Sequence, residues 1–338
     1  PNFHVEHLSV NASGWSNSHH LWSLHGGPIL RIGIVGAGSI GSLLVGCLSK
    51  TSAELLVYGR GLHAAHLTAS GLTLHIDGKD VVVCNPNDWE MLLEEQGLPE
   101  SVQSSCDAIV MTGKASAFSE HLEVSKHLLR NNGLICTLSN GLGHEERLVQ
   151  AFGAHRVLAA TTTHGAYRPE PGQVKWAGIG EINIGPFVHP HTEDSVKTFL
   201  QFLADASLEP RWEDDGRALL WNKMLLNIAI NPIAGLLGKE NGALLEMTIF
   251  ESVASVLLEG ATIARAEGVR LDDDAVLIDR LRNVLDKTRT NYCSMLQDIK
   301  AGRPTEIESL NTEICRRGEM FGIPTPLNEL LSTIIQNL

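Results

Sequence analysis

The chain has 338 residues, 43% of them hydrophobic, enough for one large domain or two domains with real cores. Its 26 Lys and Arg against 39 Asp and Glu give a formal charge of -13, which disfavours nucleic acid and anionic membrane surfaces as partners. No apolar run reaches the roughly eighteen residues of a membrane span, and the six cysteines form no CxxC pair, so buried free thiols in a reducing compartment are expected. That compartment reads as the cytoplasm, or the mitochondrion if further residues precede Pro1.

Residues 1–29 hold no Lys or Arg, five histidines and no apolar period. They match neither a secretory leader nor an Arg-rich transit peptide and read as a poorly ordered extension. The Asn11-Ala12-Ser13 triplet has the form of a glycosylation sequon, against which the cysteine usage speaks.

LRIGIV, residues 30–35, predicts a buried strand, and SIGSLLVGCLS, 39–49, predicts a helix with Ile40, Leu43, Leu44 and Leu48 on one side. ELLVYGR (54–60) is a second strand. LHAAHLTAS is helix-compatible, and GLTLHIDGKDVVV suggests a hairpin turning at Asp77-Gly78. CDAIVMTGK (106–114) and NGLICTLSN (132–140) are further strands flanking a helical SEHLEVSKHLLR. Strands alternating with helices at this spacing predict a parallel, doubly wound sheet.

Beyond residue 155 VLAATTTHGAYR and GQVKWAGIGEINIG are β-rich, joined as a hairpin by the turn Arg168–Gly172, and from about residue 215 nearly everything has helical period. The fold class is therefore α/β: an N-terminal Rossmann-type dinucleotide-binding domain over 30–214, then an all-α domain over 215–338.

Gly36-Ala37-Gly38-Ser39-Ile40-Gly41 is G-x-G-x-x-G between a strand and a helix. The first glycine permits the tight turn, the second lets a pyrophosphate approach the backbone, and the third lets helix and strand pack closely. Where NAD enzymes commonly carry a carboxylate, after the second strand, this chain has Arg60, which suits the extra phosphate of NADP(H). Lys114 and Asn140 fall at carboxyl ends of predicted parallel strands, where open α/β sheets bind ligands; a solvated loop lysine and a turn asparagine are the plain alternatives.

In NKMLLNIAINP, Lys223, Asn227 and Asn231 are spaced by four, one polar stripe on an apolar helix that Pro232 should disturb where the stripe ends. Ser294, Glu306 and Asn241 form a further polar set that on spacing alone reads as helix-start and turn residues. No metal-ligand spacing occurs.

Together, RIGIVGAGSIGSL, Lys114, SNGLGHEE, TTTHGA, GEINIGP, WNKMLLNIAINPIAGL and SMLQDIKAGRPTEIESLN resemble, in order, the motifs of the ketopantoate reductase family over essentially residues 31–335. The resemblance implies NADPH-dependent reduction of 2-dehydropantoate to (R)-pantoate, in pantothenate biosynthesis. It implies that Lys223 is the general acid and Glu306 the carboxylate contacting substrate and holding the geometry. It places Asn140, Asn227, Asn231, Asn241 and Ser294 at substrate-binding positions, Ser294 toward the substrate carboxylate. Lys114, Asn140 and Glu306 would lie near the cofactor, and Arg60 at the 2′-phosphate. Ser139 departs from the family's common Gln, and Ser39-Ile40 from its Ala-Val or Ala-Met.

Three readings compete: reduction of 2-dehydropantoate, reduction of another branched or aromatic 2-keto acid, and non-catalytic sensing of NADP(H). The expected partner is a small-molecule 2-keto acid, with neither nucleic acid nor membrane. A homodimer is compatible with the sequence.

Overall fold

A computed structural model describes residues 30–76, 81–188 and 194–338. The N-terminal extension and the Asp77-Gly78 turn lie outside the described residues. The strands are β1 (Arg31–Val35), β2 (Glu54–Gly59), β3 (Leu72–Ile76), β4 (Val82–Cys84), β5 (Glu90–Leu93), β6 (Cys106–Met111), β7 (Leu129–Thr137), β8 (Val157–Thr162), β9 (Gly165–Tyr167), β10 (Gln173–Gly178), β11 (Ile182–Pro186) and β12 (Pro210–Trp212). The first five helices are α1 (Ser39–Leu48), α2 (Gly61–Ala69), α3 (Phe118–Leu128), α4 (His144–Phe152) and α5 (Asp194–Asp205). The remainder are α6 (Gly216–Leu237), α7 (Met247–Ala266), α8 (Asp274–Lys287), α9 (Ser294–Lys300), α10 (Asn311–Phe321) and α11 (Pro326–Gln336).

The main sheet has the order β12-β11-β8-β7-β6-β1-β2-β5. Its six strands from β8 to β5 are mutually parallel, and β11 joins β8 antiparallel. The expected all-parallel sheet therefore gains two reversed strands at one edge. The β-rich segment after residue 155 pairs with itself twice. β8 meets β11 in the main sheet, while β9 and β10 form the hairpin around 168–172 in a second sheet of order β4-β3-β10-β9. β5 at the other edge, EMLL, is too short and too closely flanked by acidic residues to read as a strand.

Side-chain alternation shows why the sheet needs cover on both faces. Ile32, Ile34, Ala108 and Val110 join a core with α1 and α5, whereas Val35, Ile109 and Met111 join a core with α3 and the helical domain. That second core runs on through Trp221, Met224, Leu225 and Ile228 of α6, so the helical domain is packed onto the sheet domain.

α6 passes through Pro232 and continues to Leu237, contrary to the expectation that the proline disturbs the helix where the stripe ends. Proline cannot donate to the carbonyl four residues back. The Asn311 side-chain amide takes that place, donating to Ile228 O at 3.0 Å from a fully buried position.

α7 is long and apolar enough by length and composition to cross a membrane, but Phe250, Val253, Leu257, Ala261 and Ile263 bury it in the helical core. All six cysteines are free, five buried and Cys315 partly exposed.

Candidate active site

The strand order reverses direction of travel at β1, which has β2 on one side and β6 on the other. Crevices outside the carboxyl ends of strands at such a switch point bind ligands. A cleft of about 840 Å³ opens there, lined by the glycine loop, by the segments after β2, β6 and β7, and from the helical domain by Ser294, Gln297, Asp298, Arg303 and Glu306.

The glycine loop has the build expected of it. Gly36 sits at φ +112°, a conformation that a side chain disfavours. A Cβ on Gly41 would stand 2.1 Å from Gly36 O, so helix and turn touch there. A Cβ built on Gly38 would meet nothing nearer than Thr112 O at 3.8 Å, so that side of the glycine is open. Gly38 caps α1 without any side-chain hydrogen bond, so the first N–H groups of the helix stay available to an anion. These features fit a dinucleotide pyrophosphate.

Two side-chain pairs bridge the domains at the cleft. Lys114 donates to Asp298 Oδ2 at 2.9 Å, and Asn140 Nδ2 donates to Glu306 Oε2 at 2.9 Å. Asp298 is buried and also accepts from Arg303 Nε at 2.8 Å. Ser139, in the place of the family's Gln, donates to Gly113 O at 2.5 Å and ties together the segments after β6 and β7.

Lys223 is partly buried on α6 and donates to Thr162 O, at the end of β8, at 3.3 Å. Burial pushes its ammonium down to about 8, with the Glu306 carboxylate pulling the other way. Burial also lifts Glu306 above the ordinary carboxylate range and Asp298 adds to that, while the Asn140 hydrogen bond, Lys114 and Lys223 oppose it.

The structure thus brings Lys114, Asn140, Ser294, Glu306, Arg60 and the loop residues Gly36, Ala37, Gly38, Ser39 and Ile40 to one cleft, with Gly41 packed behind. Lys223, Asn227, Asn231 and Asn241 stand outside its open lining. Lys223 is coupled to the cleft through Glu306. Asn231 is buried, its backbone carbonyl accepting from Cys293 Sγ at 3.5 Å. Asn241 donates to Thr288 Oγ1 at 3.0 Å, and its buried Oδ1 has no partner among the described residues. Sequence reasoning missed Asp298, Glu120 and Arg168, which also line the cleft. Arg168 was visible only as part of a turn, yet its guanidinium reaches Ala37 O of the glycine loop at 3.4 Å.

Comparison with known proteins gives the family of the chain. Residues 32–189 match the family model described as ketopantoate reductase PanE/ApbA, and 215–338 match that of its C-terminal part. A 2-dehydropantoate 2-reductase of Pyrococcus horikoshii is 31% identical over 91% of this chain and 97% of its own length. One from Halobacterium salinarum is 31% identical over 91% and 98%. Among solved structures, D-mandelate dehydrogenase with NADH and anilino(oxo)acetate superposes at TM-score 0.83, with 26% identity over 91% of this chain and 97% of that one. The 2-dehydropantoate 2-reductase of Geobacter metallireducens superposes at 0.79, with 26% identity over 91% and 99%. With both halves of the chain matched in order, the chain belongs to the ketopantoate reductase family.

Proposed function

We propose that this protein reduces 2-dehydropantoate to (R)-pantoate with NADPH, residues 30–214 holding the cofactor and 215–338 supplying the substrate side. The observation that carries this reading is Lys223, a partly buried ammonium brought to about 8 under the influence of Glu306, which lines the cleft that also holds a loop built for a dinucleotide. The bound nicotinamide would supply the hydride. As it arrives, negative charge grows on the keto oxygen, and Lys223 can give that oxygen a proton because its acidity is close to the operating pH. The neutral amine then regains its proton from solvent.

Asn140 donates to Glu306 and keeps its own carbonyl free to accept, so the pair can orient a hydroxyl or a cofactor amide. The Ser294 hydroxyl, exposed at the start of α9, suits the substrate carboxylate. Asn227, Asn231 and Asn241 continue the polar set on and beyond α6 as substrate-positioning groups. Lys114 is held by Asp298 beside the cofactor loop, and Arg60 is placed for the 2′-phosphate.

A second reading, reduction of an aromatic 2-keto acid, is favoured by the superposition on D-mandelate dehydrogenase. The two share the groups that handle the keto oxygen and the carboxylate and differ in the apolar walls. Initial rates of NADPH oxidation with 2-dehydropantoate and with phenylglyoxylate separate them; the first reading requires 2-dehydropantoate to be the faster. A sensor without catalysis would consume no NADPH with either.

A further inference from the structure

The adenosine end of the cleft contains a contradiction in charge. Arg60, the residue read as the 2′-phosphate contact, is already engaged through one of its nitrogens. Its Nη1 donates to Glu120 Oε2 at 3.2 Å and lies 3.6 Å from Glu94 Oε1. The N–H of Gly61, the first residue of α2, donates to Glu95 Oε1 at 3.3 Å. An anion would otherwise be favoured at that helix start. Both groups that could receive a phosphate therefore carry carboxylates of this same chain. Glu120 is further held by the hydroxyl of buried Tyr58, which donates to Oε1 at 2.9 Å, so it is fixed from two sides and lines the cleft.

We infer that Glu120 and Glu95 determine cofactor choice by holding the preference for NADPH shallow, so that the protein binds NADH nearly as well. The inference rests on the reading of Arg60 as the 2′-phosphate contact. A 2′-phosphate must compete with Glu120 and Glu94 for Arg60 and with Glu95 for the Gly61 N–H, and then sit near their charge. A ribose 2′-hydroxyl is a donor, and a carboxylate fixed by Tyr58 suits it. Arg60 has 59% of its side chain exposed, so solvent screens each pair, and the effect of each carboxylate is modest rather than absolute.

The test is direct binding of NADPH and of NADH, by quenching of tryptophan fluorescence at fixed salt, which needs no turnover. The wild-type Kd values should lie within about tenfold of each other, as follows from screened charge at this exposure. Glu120→Gln should tighten NADPH relative to NADH by about fivefold, Glu95→Gln by about twofold to threefold, and Arg60→Ala should weaken NADPH selectively by about tenfold. Glu95 is exposed, so its variant reports even if the Glu120 variant folds poorly.

A wild-type preference for NADPH above about a hundredfold, or a cofactor ratio moved by less than about twofold in the folded glutamate variants while Arg60→Ala stays selective, overturns the inference and leaves Arg60 as the phosphate contact. Equal weakening of both cofactors by Arg60→Ala removes the Arg60 reading itself.

Discussion

Lys223 and Arg317 are both cations drawn out of water, and the protein treats them oppositely. Arg317 on α10, 5% exposed, donates to Glu267 at 2.8 Å, to Glu313 at 2.7 Å and to Glu146 of the sheet domain at 3.1 Å. Burial would weaken its charge, but the three carboxylates outweigh burial and raise its pKa. Lys223 has one backbone carbonyl and the influence of Glu306, and there burial wins. The number of close anions decides the outcome. A fully compensated cation fastens two domains, whereas an undercompensated one can part with its proton.

Substitution at the two positions should break this comparison if it is wrong. Lys223→Ala should lower kcat for keto-acid reduction by about 10²- to 10⁴-fold, the usual contribution of a positioned proton donor, with the circular dichroism spectrum unchanged. Arg317→Ala should cost about 3 kcal/mol in denaturant unfolding, since it strands the partly buried carboxylates of Glu267 and Glu313, while kcat of the folded fraction stays within about threefold. Lys223→Met should have the opposite sign, gaining about 1 kcal/mol at pH 7, because it removes a desolvated charge with little to compensate it.

The acidity of Lys223 also has a sign that can be checked. Its proton-donating form is lost as pH rises through about 8, so the reduction rate should fall about tenfold per pH unit above that value. Its folded pKa lies below that of free lysine, 10.5, so the unfolded chain binds more protons between the two values and stability should rise with pH across that window.

Glu145, beside the Arg317 cluster, gives an effect of similar size to that of Lys223→Met. It is 2% exposed, its Oε2 lacks a partner among the described residues, and burial pushes its carboxyl up to about 8. An acid whose pKa is raised on folding loses stability as pH climbs from 4.5 toward 8. Glu145→Gln should therefore raise stability by about 1 to 2 kcal/mol at pH 7, and by nearly nothing below pH 4.5. Thermal melts at the two pH values read this directly.

Much of this was legible in sequence where the signal is local. Buried strands such as RIGIV and the strand-loop-helix at Gly36–Gly41 carry their own pattern, because a strand covered on both faces must be apolar throughout. The α6 stripe was visible by spacing, but its continuation past Pro232 was not, since the donor that repairs the helix is Asn311, 83 residues away. The second sheet escaped notice because β3 pairs with β10 across about a hundred residues. Glu120, Glu95 and Asp298 carry no local signal; their partners Arg60, Gly61 and Lys114 lie 60, 34 and 184 residues away. Charge compensation at a site is a long-range property, and it is what sequence spacing conveys least.

The most direct test of the account is NADPH oxidation with 2-dehydropantoate, followed as loss of reduced-nicotinamide absorbance, for the wild-type chain and Lys223→Ala side by side. The account predicts turnover by the wild type that declines above pH about 8 and a variant slower by at least about a hundredfold. A wild type that leaves 2-dehydropantoate untouched, or a variant as fast as the wild type, would contradict it.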